Sequence, residues 1–181
     1  MNIIDFKRGH VDEAAALAFA NYEDERGHVP ALPLIDAVPD LTGFADNNLG
    51  VAAFDGGRLV GFMCGHGVWD NAWGISGLRN VFSPMHANGA QGDNRARAGI
   101  YARIYQAAGE KWARAGAASH GVCLHAHDAE AQGRLSMTVF VGTTASVGGV
   151  PSVVRVKNAG RTIGRPRAVV PTIIHVNINI V

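Results

Sequence analysis

No aspartate or glutamate occurs after Glu130 in this 181-residue chain, and no tyrosine after Tyr105. All fifteen acidic residues lie at or before Glu130 beside ten Lys/Arg, so residues 1–130 carry a net charge of −5. Residues 131–181 hold six Lys/Arg and no acid, a net +6, with Phe140 as their one aromatic residue. Cysteine is scarce as well. Cys64 and Cys123 are the only two, neither has another nearby, and both are expected as reduced thiols in or near a core. No apolar run approaches the roughly 18 residues that a membrane-spanning helix needs. The opening MNIIDFKRGH lacks the basic-then-apolar order of a secretory signal, so the expected location is the cytoplasm. The overall charge of +1 gives no reason to expect nucleic acid or an acidic membrane as partner.

What is present fits one domain over residues 1–181, with a core large enough to fold alone; 48% of residues are hydrophobic and 17% charged. Asn2–Lys7 reads as a strand and His10–Glu25 as a helix, with Val11, Ala15, Leu17, Ala18 and Tyr22 on one face. Pro30, Pro33 and Pro39 break the stretch that follows, which is read as loop with a short helix near Leu34–Ala37. Leu49–Phe54 and Leu59–His66 flank Asp55-Gly56-Gly57, a hairpin, and Leu78–Phe82 is expected as a third strand beside it. Ser83–Asp93, with Pro84, Gly89 and Gly92, reads as a loop. Asn94 is the expected N-cap of a helix whose Ile100, Ile104/Tyr105, Ala108 and Trp112 recur at helical spacing until Gly116. His120–Ala126 is strand-like, Asp128 starts a further helix through Arg134, and Met137–Val141, Ser152–Lys157 and Thr172–Ile180 are strands. A polar, glycine-bearing loop feeding a helix N-terminus is suited to hold phosphate, which points to a nucleotide-like cofactor.

This order of elements resembles the GNAT superfamily of acetyl-coenzyme A-dependent N-acetyltransferases, over about residues 1–135. Three stretches carry the resemblance: the hairpin Val51–Phe62, the run Val81-Phe-Ser-Pro84 with its loop and the helix to Gly116, and Ser119–Asp128 with Ala129-Glu-Ala131. The fold so implied is α/β, a single domain with a mixed, mostly antiparallel central sheet flanked by helices. The implied co-substrate is acetyl-coenzyme A and the implied acceptor a primary amine of a small molecule or peptide. The resemblance gives the backbone of Phe82 and Ser83 the pantetheine arm. It gives the loop and helix start at Asn94, Arg95, Arg97, Ala98 and Gly99 the pyrophosphate, held by N–H groups and by Arg95 or Arg97.

The chain departs from the family pattern in two places. Arg97-Ala-Gly-Ile-Tyr-Ala102 keeps the arginine and the final alanine but sets Gly99 one position early, after a longer loop. The tyrosine that reprotonates the departing thiolate in such enzymes should fall near Leu135–Met137, where none stands. No catalytic residue is therefore assigned, and a catalytically silent acetyl-coenzyme A-binding or structural relative is the alternative. The failure coincides with the charge shift. Segment 136–181 is read either as a divergent end whose strands are candidates for a homodimer contact, or as a segment translated in a shifted frame.

Other groupings have two readings each. His125 and His127 share a strand face and have the spacing of a metal pair, which makes a metal-dependent hydrolase the last-placed alternative, but alanines at 129 and 131 fill the next positions, and no metal is assigned. Trp69 borders the hairpin and fits either a substrate mouth or an irregular connection, whereas Trp112 reads as core. Glu23, Asp24 and Glu25 suit an amine or simply end a solvated helix.

Overall fold

Val51 and Ala53 pack into one apolar cluster and Ala52 into another. Successive side chains of a strand point to opposite faces, so the strand carrying them is a layer with a core on each side. The computed structural model describes residues 1–124 and 172–177. Its elements are β1 (Asn2–Asp5), α1 (Val11–His28), α2 (Thr42–Asn47), β2 (Val51–Asp55), β3 (Arg58–Met63), β4 (His66–Trp69), β5 (Asn80–Ser83), β6 (Asn88–Ala90), α3 (Asn94–Arg114), β7 (Ser119–Leu124) and β8 (Thr172–Asn177).

The class expected from the sequence holds, mixed α/β with mostly antiparallel pairing, but the described strands form two four-stranded sheets, β1-β2-β3-β6 and β4-β5-β7-β8. The chain passes from the first to the second between β3 and β4, and back again between β5 and β6. The third strand beside the hairpin is therefore β6, which pairs with β3 through Gly61↔Ala90, Phe62↔Gly89 and Met63↔Asn88. Residues 83–93, read as loop, contain that strand. Gly89 is what lets it approach, since a Cβ there would stand 3.0 Å from the Phe62 ring. β5 instead pairs antiparallel with β4 and parallel with β7, and α3 lies in the long crossover that a parallel pair requires.

Helices α1 and α3 cover opposite faces of the first sheet. Ala14, Ala18 and Tyr22 bury one stripe of α1, and Tyr101, Ile104, Tyr105, Ala108 and Trp112 one stripe of α3. Trp112 is fully buried and its Nε1–H donates to Leu49 O at 2.6 Å, tying the end of α3 to the start of the hairpin. Gly116, at φ 86°, turns the chain out of the helix as its position predicts. Two smaller readings move. The helix expected at Leu34–Ala37 lies at Thr42–Asn47, because Asp40 Oδ1 accepts from both Thr42 N and Thr42 Oγ1 and organises the first turn there. The cap of α3 is Asp93, whose Oδ1 takes the Ala96 N–H at 2.8 Å, and Asn94 is the first helical residue. The strand expected over 172–180 is described over Thr172–Asn177, where it pairs antiparallel with β7. The expected helix at 128–134, the strands at 137–141 and 152–157, and His125 and His127 lie outside the described residues.

Candidate functional site

β6 is the end strand of its sheet and β7 belongs to the other sheet, so no ladder of backbone bonds joins them across the gap between the two. The antiparallel alternation decides which backbone groups face it. Gln91 N bonds Val60 O and Cys64 N bonds Ala87 O, which turns Gly89 toward β3 and the peptide groups of Asn88 and Ala90 outward. Asn88 spans the gap: its Nδ2 reaches Cys123 O at 3.4 Å, while its Oδ1 accepts from the Tyr101 hydroxyl at 3.1 Å. Ala90 is held from the α1 side. Its N–H donates to Asn21 Oδ1 at 3.0 Å and its carbonyl accepts from Asn21 Nδ2 at 3.1 Å, so one side-chain amide occupies the place of a neighbouring strand's peptide.

Two cavities flank this edge. The outer one, about 610 Å³, runs between α1, the hairpin turn and the loop at Gln91–Gly92. The inner one, about 20 Å³, lies at the gap among Glu25, His86, Asn88, Tyr101 and Cys123. It has room for about one water. Asn21 and Arg97 line both. Arg97 Nη1 pairs with Asp24 Oδ2 at 2.8 Å, and its Nε is buried without a partner among the described residues.

The sequence-derived candidates are only partly brought together here. Arg97 stands at the boundary of the two cavities, with Arg95 exposed nearby on the same helix turn. Asn94 begins α3. Ala98 is buried and Gly99 exposed in open space, and both lie past the first Arg97 N–Asp93 O bond, so their N–H groups belong to the helix ladder. Asp93 already takes the Ala96 N–H, which leaves Asn94 and Arg95 as the backbone donors of that turn. Phe82 and Ser83 sit in β5 with a strand on either edge, pairing with Gly121 and Val122 of β7. The acidic run at 23–25 is not merely solvated: Glu23 holds Arg26, Asp24 holds Arg97, and Glu25 is buried. The sequence reading missed Asn21. The signal was there, a polar residue on the helical face defined by buried Ala14 and Ala18, where a side chain must find hydrogen bonds.

Ser83 and His120 form a second polar group, in the core on the α3 side. Ser83 Oγ stands 2.5 Å from Cys64 O and 2.9 Å from His120 Nε2. Both side chains are buried, so this serine–histidine pair is closed to substrate. Burial pushes His120 down to about 3 and raises the Cys64 thiol and the Tyr105 hydroxyl. Cys64 and Cys123 are free and buried, as expected. Among the described residues no helix is long and apolar enough to cross a membrane, and no cluster of three or more His, Cys, Asp or Glu is placed to hold a metal ion.

No family model matches the chain, and no curated protein matches it. Solved structures do. The wild-type TTHA1254 protein of Thermus thermophilus is similar with a TM-score of 0.50 at 16% identity, over 88% of this chain and 100% of that one. An aminoglycoside 6'-acetyltransferase type Ii has a TM-score of 0.47 at 18% identity, over 75% of this chain and 82% of that one. The aminoglycoside 6'-N-acetyltransferase of Enterococcus faecium has 0.41 at 19%, over 67% and 60%. At these identities the likeness is one of fold.

Proposed function

We propose that this protein moves the acetyl group of acetyl-coenzyme A to a primary amine of a small molecule or peptide. The observation that carries the reading is the gap between β6 and β7, with outward-facing peptide groups along one wall and a half-buried, incompletely paired arginine at its mouth. An extended pantetheine arm needs amide partners of that kind, and a pyrophosphate needs the cation. The transfer itself asks the protein for little covalent help. It must hold the amine against the thioester and take up its proton, because the attack is an addition to a carbonyl followed by loss of the thiolate.

A second reading is a catalytically silent relative. Two features favour it: the Asp93 carboxylate caps the turn where phosphate charge would gather, and the inner cavity, about 20 Å³, is far smaller than a pantetheine arm. Calorimetry with acetyl-coenzyme A on the full chain, with Arg97→Ala beside it, separates a cofactor-binding chain from a purely structural relative, and release of coenzyme A in an amine screen separates the transferase from a silent binder. Micromolar binding that weakens at least tenfold in the variant supports the transferase reading and justifies an amine screen. A folded chain that binds nothing overturns it in favour of a purely structural relative, and one that binds acetyl-coenzyme A but acetylates no amine overturns it in favour of a silent binder.

A further inference from the structure

Asn21 and Arg97 separate the two cavities, and each is held there by a bond that a ligand can replace. Asn21 spends both ends of its amide on Ala90, and Arg97 spends Nη1 on Asp24 while its Nε stays buried without a partner among the described residues. Both side chains line the outer groove, about 610 Å³, and the inner cavity, so turning them aside would let the two meet along the edge of β6. We infer that Asn21 and Arg97 form a closed partition across the cofactor channel, and that an amide-bearing, anionic chain of the coenzyme A class opens it by exchange. This rests on the transferase reading above and adds what binding must displace.

The chemistry of the occupant follows from what each residue gives up. Ala90 offers one outward N–H and one outward C=O, which a chain carrying secondary amides satisfies in the way a neighbouring strand does. Arg97 leaves a carboxylate, and only an anion in the ligand compensates a guanidinium that is 16% exposed. The phosphates then lie toward the outer groove and the thioester toward the gap, where Asn88 and Tyr101 stand. Because Asn21 competes for the same edge, its bonds lower the affinity by the fraction of time the edge is free.

The test uses the full chain and titrates coenzyme A and 4′-phosphopantetheine into wild type, Asn21→Ala and Asn21→Ser, while amide exchange follows the Ala90 N–H. Loss of the competing amide should tighten coenzyme A binding by about three- to tenfold, as expected for one or two net hydrogen bonds. The Ala90 amide should exchange faster in both variants and regain protection when coenzyme A is added. If wild type binds and both variants bind equally well or more weakly, the partition is wrong while the transferase reading stands. If no protein binds but Ala90 exchange rises in the folded variants, the transferase reading falls and takes the partition's ligand with it. Tighter binding of an acidic peptide than of coenzyme A would also overturn the assignment.

Discussion

Ser83 donates its hydroxyl proton to Cys64 O, and this determines the tautomer of His120. An oxygen–oxygen distance of 2.5 Å between Ser83 and Cys64 requires the proton to lie between them. Ser83 Oγ can then only accept at 2.9 Å from His120, so Nε2 carries the ring hydrogen and Nδ1 is bare. That bare nitrogen and the Tyr105 hydroxyl are both buried without partners among the described residues, with the two ring centroids 5.6 Å apart. A neutral histidine tilted against the Trp112 ring, centroids 4.1 Å apart, is thus part of the wall between α3 and the second sheet.

The same burial makes stability depend on pH in a defined window. An unfolded histidine titrates near 6.5, whereas His120 in the fold is pushed down to about 3. Between those values the unfolded chain binds a proton that the native chain does not. The contribution is complete above about pH 6.5 and is lost as pH falls toward 3, at about 1.4 kcal/mol per pH unit. Urea unfolding at pH 7 and pH 5 should show wild type losing about 2 kcal/mol more than His120→Gln over that step. Parallel losses in the two proteins would mean that His120 is not held neutral.

Trp112 anchors the end of α3 by shape and by one hydrogen bond. Trp112→Phe keeps most of the apolar volume but leaves Leu49 O without its donor, a loss of about 1–3 kcal/mol for a buried acceptor. Trp112→Ala removes the ring as well and should cost about 3–5 kcal/mol. The comparison is made by denaturant unfolding. If the phenylalanine variant is as stable as wild type, the 2.6 Å bond to Leu49 O contributes nothing.

Much of the fold was legible because it rests on local signals. The hairpin has its glycine turn, α3 its apolar stripe and its Gly116 stop, and β7 and β8 their alternation. What was not legible depends on which strand lies beside which. Residues 88–90 have no strand pattern of their own and become β6 only because Gly89 permits contact with Phe62. The division into two sheets is invisible for the same reason, since chain continuity through Cys64 and Gly65 hides a change of partner. Arg97 is a candidate from its motif alone. Its partner Asp24 lies 73 positions away in sequence, and the Asn21–Ala90 clamp spans 69; no spacing rule reaches that far.

Gly61 sets how closely α3 approaches the first sheet, and its substitution tests that packing directly. A Cβ at this position would overlap Ile100 Cγ2 and stand 3.3 Å from Gly89 O. The γ2 methyl sits on a branched side chain in the helix, where one rotamer dominates, so it cannot simply swing away. Gly61→Ala should therefore destabilise the fold by about 1–3 kcal/mol through overpacking. Ile100→Ala alone should be destabilising through the space it leaves, by about 2–5 kcal/mol at most for a half-buried site. Combined, the two changes relieve each other. The double variant should be at least about 1 kcal/mol more stable than the sum of the single losses predicts, a coupling typical of residues in contact. Additive losses in denaturant unfolding would show that α3 does not rest on Gly61.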